Sequence, residues 1–271
     1  MYQKYLFMIF ALFSLGLPVS AYTMDGDLSD WGVSPFTSWA PSSGTADYTE
    51  DNWAHGSDLG SGSVPSGGEL FDLEAIYFDD NGAVGVAGNA YFAVVTSMPP
   101  GGSASEGWSA NYTMGDLALD IDNDGTNEYG IKILGNTSGM VCNNPNWKNA
   151  TMSGPGYGYG YSFTCDGPSS NVTGYANVVY APSAVNESGP LPKTYVIEIS
   201  VPKRALGSPA QYQLSNTDVT LSCGNDLIRI GYDWDFPAPT FPAEAVPVAI
   251  ALFAPVAAFV ASRKKAPGKQ N

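Results

Sequence analysis

The amino-acid sequence predicts an all-β fold: a two-layer antiparallel β-sandwich, jelly-roll-like, set between an N-terminal signal helix and a C-terminal hydrophobic helix. Three observations lead there. Short segments rich in Val, Ile, Tyr and Thr are separated by turn clusters, in a chain holding 31 Gly and 20 Pro among its 271 residues. No long segment between the two ends repeats apolar residues at helical spacing. The stretch 115–133 reads as a hairpin: Leu117, Leu119 and Ile121 alternate with polar or small residues, Asn123, Asp124 and Gly125 supply turn chemistry, and Tyr129, Ile131 and Ile133 resume the alternation.

The ends are separate from this body. Lys4 precedes an apolar run from Leu6 to Leu17, and Val19-Ser20-Ala21 has the small-residue pattern of a cleavage site. Residues 1–21 therefore read as a secretory signal peptide, with a retained anchor as the alternative. Residues 22–236 form the extracellular sandwich domain. Pro237, Pro239, Pro242 and Pro247 make a stiff spacer over 237–244 and its border. The uncharged run 245–262 would rise about 27 Å as a helix, close to the thickness of a hydrocarbon core. Arg263, Lys264 and Lys265 follow it, so the tail 263–271 reads as cytoplasmic and the domain as lying outside, anchored to the membrane.

Within the domain, Asp25–Gly32 opens with a turn and an aromatic anchor, and residues 40–68 read as a long polar loop. Strands are predicted over 70–79 and 89–98, joined by the turn Asp80-Asn81-Gly82, then in the central hairpin, over 174–180 and 194–201, and as a last pair over 219–223 and 227–232. That makes about seven or eight strands, a number suited to two packed sheets.

Charge narrows the partners. All 26 Asp and Glu lie between Asp25 and Glu244, whereas Lys132, Lys148, Lys193, Lys203, Arg204 and Arg229 are the basic residues in that span. So acidic a surface repels nucleic acid and anionic lipid and favours divalent cations. Cys142 and Cys165 flank a Gly- and Asn-rich segment and can close it as a disulfide outside the cell, leaving Cys223 as a buried thiol. Asn111, Asn136, Asn149, Asn171 and Asn186 each begin an Asn-X-Ser/Thr sequon and mark surface loops able to carry glycans.

Two clusters invite functional readings. Asp120, Asp122, Asp124 and Gly125 match the start of a calcium loop, and Glu128 occupies its ninth position; Ile131 stands where an EF-hand places its bidentate Glu. The four acids are a candidate calcium site, or a turn whose carboxylates face water. Asp25, Asp27 and Asp30 form a weaker cluster of the same kind. In Gly154–Tyr161, Tyr157, Tyr159 and Tyr161 alternate with glycine and would project from one face of an extended segment. With Trp53, Trp108 and Trp147 they are candidate stacking surfaces for surface polysaccharide, or ordinary cross-strand packing.

Catalysis has little support. The single His55 lies in a Gly/Ser-rich loop, no serine sits in a nucleophile elbow, and no zinc-protease motif occurs. A polysaccharide hydrolase built on paired carboxylates is the third reading.

The segments 25–32 (DGDLSDWG), 115–125 (GDLALDIDNDG), 195–207 (YVIEISVPKRALG) and 223–233 (CGNDLIRIGYD) together resemble a family of exported surface proteins. Those proteins end in PEP-CTERM or PEF-CTERM sorting signals, handled by an exosortase or, in archaea, an archaeosortase. Their sandwich is similar to DOMON-like and family 9 carbohydrate-binding modules. The resemblance implies a sorting transpeptidase as partner, removal of the tail and transfer to a surface lipid; residues 241–247 (FPAEAVP) hold no intact Pro-Glu-Phe. The sequence thus leads to a non-catalytic, cell-surface-anchored structural or adhesive glycoprotein, calcium-stabilised, with a surface-displayed glycan-binding module as the alternative. A concave face with exposed aromatics separates the two.

Overall fold

The computed structural model describes residues 22–34, 38–42, 46–51, 69–80, 88–104, 110–150, 158–183 and 194–234. The signal peptide, the spacer, the hydrophobic segment 245–262 and the basic tail lie outside these residues, as do Trp53, His55, Trp108, Tyr157 and Asn186. Among the described residues no helix is long and apolar enough to cross a membrane.

The fold is all-β and antiparallel. Five strands form one sheet in the order β1 (Asp47–Glu50), β2 (Leu73–Asp80), β3 (Asn89–Thr96), β11 (Tyr195–Pro202) and β10 (Asn177–Pro182). Six form a second, in the order β13 (Leu227–Asp233), β12 (Leu214–Thr220), β4 (Leu117–Asp120), β5 (Tyr129–Ile131), β6 (Met140–Asn143) and β9 (Asn171–Tyr175). A separate hairpin pairs β7 (Asn146–Asn149) with β8 (Gly160–Thr164).

The two sheets share one core. Phe78, Phe92 and Val94 from the first meet Leu119, Ile230 and Tyr232 from the second. Phe78 stacks on Tyr232 with ring centroids 3.7 Å apart, and Trp234 meets Phe78 edge-on at 5.2 Å. Burying each such side chain contributes about 1.5–3 kcal/mol, so this seam is the main source of cohesion.

The inner strands β2, β3 and β11 of the five-stranded sheet are buried on both faces, and β3 reads as a near-continuous apolar run. The sheet's outer face, with Ala75, Tyr77, Tyr91, Ala93 and Val95, is covered by Leu28, Trp31, Val33 and Trp39 of the N-terminal segment. Glu198 anchors that cover: it is fully buried and accepts hydrogen bonds from the backbone N–H groups of Asp25 (2.8 Å) and Gly26 (2.6 Å) and from the Trp31 indole (3.1 Å). Burial raises its carboxyl pKa, and these three donors pull against that rise.

The described strands number 13, more than the sequence predicts. The polar stretch 40–68 contains β1. The strand predicted over 174–180 is two strands in different sheets, because the chain breaks at Ala176, whose N–H goes to Gly139 O at 2.7 Å, and crosses from β9 to β10. The strand predicted over 219–223 starts earlier, at Leu214, and ends at Thr220. The hairpin β4–β5 pairs Leu117 with Ile131 and Leu119 with Tyr129, but its connection is a loop over 121–128 rather than a tight turn.

Candidate functional site

The outer face of the six-stranded sheet carries polar side chains, because the alternation that sends Ile228, Ile230 and Tyr232 into the core sends Arg229 outward. Register places Asp218 beside Arg229 on one side and Ala118 on the other, and Asn216 between Asp120 and Gly231. Arg229 forks onto Asp218, with Nη2 donating to Oδ2 at 2.6 Å and Nε donating to Oδ1. That pairing holds the guanidinium pKa above its ordinary value.

The β7–β8 hairpin lies against this face and is fixed to it at three points. The disulfide Cys142–Cys165 ties the end of β8 to β6, with Cα atoms 5.9 Å apart. Asp116 donates its N–H to Tyr161 O at 2.6 Å, and its carboxylate accepts from Phe163 N (3.2 Å) and Lys132 Nζ (2.7 Å). Phe163 packs over Gly130, where an added Cβ would fall 2.5 Å from the ring. Gly160 plays the same part inside the hairpin, since a Cβ there would lie 2.8 Å from the Trp147 indole. Gly160, between Tyr159 and Tyr161, thus makes room for a tryptophan.

A cleft of about 520 Å3 lies between hairpin, sheet and acidic loop. Asp120, Asn123, Asp124 and Asn127 line it from the loop, Asn216, Asp218 and Arg229 from the sheet, and Trp147, Asn149 and Tyr159 from the hairpin. Tyr159 is 38 % exposed, and its ring centroid lies 5.5 Å from the Arg229 guanidinium carbon. Trp147 is half-buried, edge-on to Phe163 at 5.2 Å.

The acidic loop forms one end of the cleft. Asp120 is buried and accepts both Asp124 N (3.0 Å, on Oδ1) and Gly125 N (2.9 Å, on Oδ2). Glu128 Oε2 accepts Ile121 N at 2.8 Å. Asn123 and Gly125 take the left-handed φ values of 58° and 91° that let the chain fold back around Asp120. One carboxylate oxygen from each of Asp120, Asp122, Asp124 and Glu128 lies within 4.8 Å of the others. Burial raises the Glu128 pKa, the Ile121 amide opposes it, and the charges of Asp122 and Asp120 add to the rise. Oxygens bound to one calcium ion at about 2.4 Å can stand no further apart than about 5 Å, so the spacing of the four admits a single cation.

Of the acids and aromatics that the sequence offered separately, Asp120 and Asp124 meet Trp147 and Tyr159 in this cleft, while Asp122 and Glu128 do not line it. Tyr161 lies outside the cleft, with Lys148 Nζ 5.5 Å from its ring centroid. Asp25, Asp27 and Asp30 are occupied with turn chemistry: Asp25 accepts Asp27 N, Asp27 accepts Ser29 N and Asp30 accepts Thr23 N. Asn111, Asn136, Asn149 and Asn171 are all exposed. Cys223 is buried with a free thiol. Sequence reasoning missed Asn216, Asp218 and Arg229. The available signal was that Arg229 and Asp218 interrupt apolar strands at alternate, outward-facing positions.

Comparison of the chain with protein-family models, with curated proteins and with solved structures finds no match.

Proposed function

We infer that this protein is a non-catalytic, surface-displayed glycan-binding module whose ligand sits in the cleft between the β7–β8 hairpin and the acidic loop. The observation that carries the reading is the joint lining of one concave site by Tyr159 and Trp147 and by a dense set of planar polar groups. Ring faces stack on the C–H faces of pyranoses, while Asp, Asn and Arg offer paired acceptors and donors to neighbouring hydroxyls. The volume falls in the range of about 300–1,000 Å3 usual for small-ligand sites, and the mostly polar lining suits a polyhydroxylated ligand better than an apolar one.

Binding is favoured over hydrolysis by how the carboxylates are used. Both oxygens of Asp120 accept backbone amides, and both oxygens of Asp218 accept Arg229. Neither is arranged as the proton donor that glycoside cleavage requires.

Calcium belongs to the same proposal. Bound by Asp120, Asp122, Asp124 and Glu128, it would offset the crowding of like charge and hold the loop that walls the cleft. The jelly-roll-like sandwich, export by the signal peptide and tethering through 245–262, kept as a span or exchanged for lipid by a sorting transpeptidase, complete the reading. It rests there on the sequence and on the resemblance to PEF-CTERM surface proteins with DOMON-like or family 9 modules.

The test is a screen of the purified protein against immobilised polysaccharides, with and without calcium. Selective retention that Tyr159→Ala weakens about tenfold supports the proposal. Retention by none leaves the structural or adhesive role in its place, and release of reducing ends would point to the hydrolase.

A further inference from the structure

A buried ion pair at one end of the five-stranded sheet has no part in the cleft. Lys203 follows β11 and Asp80 ends β2; Lys203 Nζ lies 2.6 Å from Asp80 Oδ2, with both side chains 1 % exposed. The strands that carry them are not neighbours, because β3 runs between them. The residue they reach across is Ala90, which pairs with Asp80 on one side and Val201 on the other and is fully buried. A methyl group there lets the lysine stem cross. The Trp234 ring centroid lies 5.9 Å from Nζ, and Trp234 is itself part of the core.

Such a pair is costly to keep as ions, since burial removes hydration from both charges and apolar residues of like volume commonly serve as well. The same burial favours a different outcome. It lowers the Lys203 pKa, against the opposing influence of Asp80 and Asp79, and so promotes transfer of its proton to the partner carboxylate. After such a transfer a neutral amine would face a carboxylic acid at contact distance, in a site where both side chains are 1 % exposed.

We propose that Lys203 and Asp80 condense to an intramolecular amide, a covalent tie between β2 and the turn after β11. The Nζ proton passes to an Asp80 oxygen, and the Nζ lone pair adds to Cγ. A second N–H proton then moves to the hydroxyl, the C–OH bond breaks and one water leaves. Ammonium and carboxylate become amide and water, with nothing oxidised or reduced. In bulk solvent the abundance of water opposes this condensation. Groups fixed at contact distance reach effective molarities of about 10⁵–10⁸ M, and the dry site excludes the reverse reactant. The product locks β2 to the turn after β11 across the intervening β3. The inference stands apart from the cleft and its ligand.

The experiment is intact-mass measurement and tryptic mapping of the full-length protein after denaturation. The expected result is a mass one water below that of the disulfide-bonded sequence, no cleavage after Lys203, no labelling of Lys203 by an amine reagent, and a branched peptide joining the Asp80 and Lys203 segments. Lys203→Met and Asp80→Ala should each restore the sequence mass; if either fails to accumulate, the wild-type map decides alone. A full sequence mass with Lys203 cleaved and labelled overturns the proposal. So does a water loss without the branched peptide.

Discussion

Tyr159 stands over Arg229, its ring centroid 5.5 Å from the guanidinium carbon, so that a residue of the added hairpin and a residue of the sheet close one side of the cleft together. Tyr159 is 38 % exposed and lines the cleft. Tyr159→Ala should weaken glycan binding by about 1–2 kcal/mol, roughly tenfold, while Tyr159→Phe keeps most of it. The unfolding temperature should barely move. Titration calorimetry with the best-binding polysaccharide checks this; equal affinity in wild type and Tyr159→Ala would place the ligand elsewhere.

Cys142–Cys165 closes a loop spanning 23 residues and pins the end of β8 to the sheet. Reducing it, or replacing both cysteines with alanine, should cost about 3 kcal/mol in chemical unfolding. Because Trp147 and Tyr159 ride on the same hairpin, binding should fall with it. Loss of stability with unchanged binding would show that Asp116 and the Phe163–Gly130 contact hold the hairpin without the disulfide.

Calcium should raise the unfolding temperature. At a concentration about 100 times Kd the gain is about 2.7 kcal/mol, several degrees for a domain of this size. Asp122 and Asp124 are exposed, so the Asp122→Asn/Asp124→Asn double variant should fold normally yet lose the response. Thermal scans with calcium and with chelator read it directly. A wild-type curve unmoved by calcium would mean that the four carboxylates serve the loop alone.

Asp226 should make part of the stability depend on pH in a direction opposite to that of a salt-bridged acid. Burial pushes its carboxyl from 3.8 to about 6, partly offset by the amides of Leu73 and Leu227, while the charge of Asp51 adds to the rise. The folded state therefore binds the proton more tightly than the unfolded chain. The contribution is complete below 3.8 and is lost as pH rises through about 6. Relative to Asp226→Asn, wild type should gain up to about 3 kcal/mol as pH falls from 7 to 4. Urea unfolding at a series of pH values measures it, and a difference flat in pH would contradict it.

Period-2 patterning made the core strands legible. Leu117/Leu119 and Ile228/Ile230/Tyr232 announce one buried face each, and β2 and β3 were legible as strands, though not as a sheet covered twice. What covers it was less visible: Trp31 is anchored by Glu198, a pairing across 167 residues that no local pattern carries. β7 and β8 were hidden by composition, because Asn, Gly and Tyr form that hairpin and its stability comes from the disulfide and from the faces of Gly130 and Gly160. The acids of the loop were read from spacing alone. That Asp120 and Asp124 share a cleft with Trp147 and Tyr159 depends on the hairpin folding back over β4 and β12, which is a matter of tertiary register.

The most direct test of the central claim is equilibrium binding of the purified protein to a polysaccharide array in calcium, beside Tyr159→Ala and a chelated sample. Saturable binding to a defined set of glycans, weakened about tenfold in the variant and reduced by chelation, is the predicted result. Binding to no glycan, or binding that Tyr159→Ala leaves untouched, would contradict it.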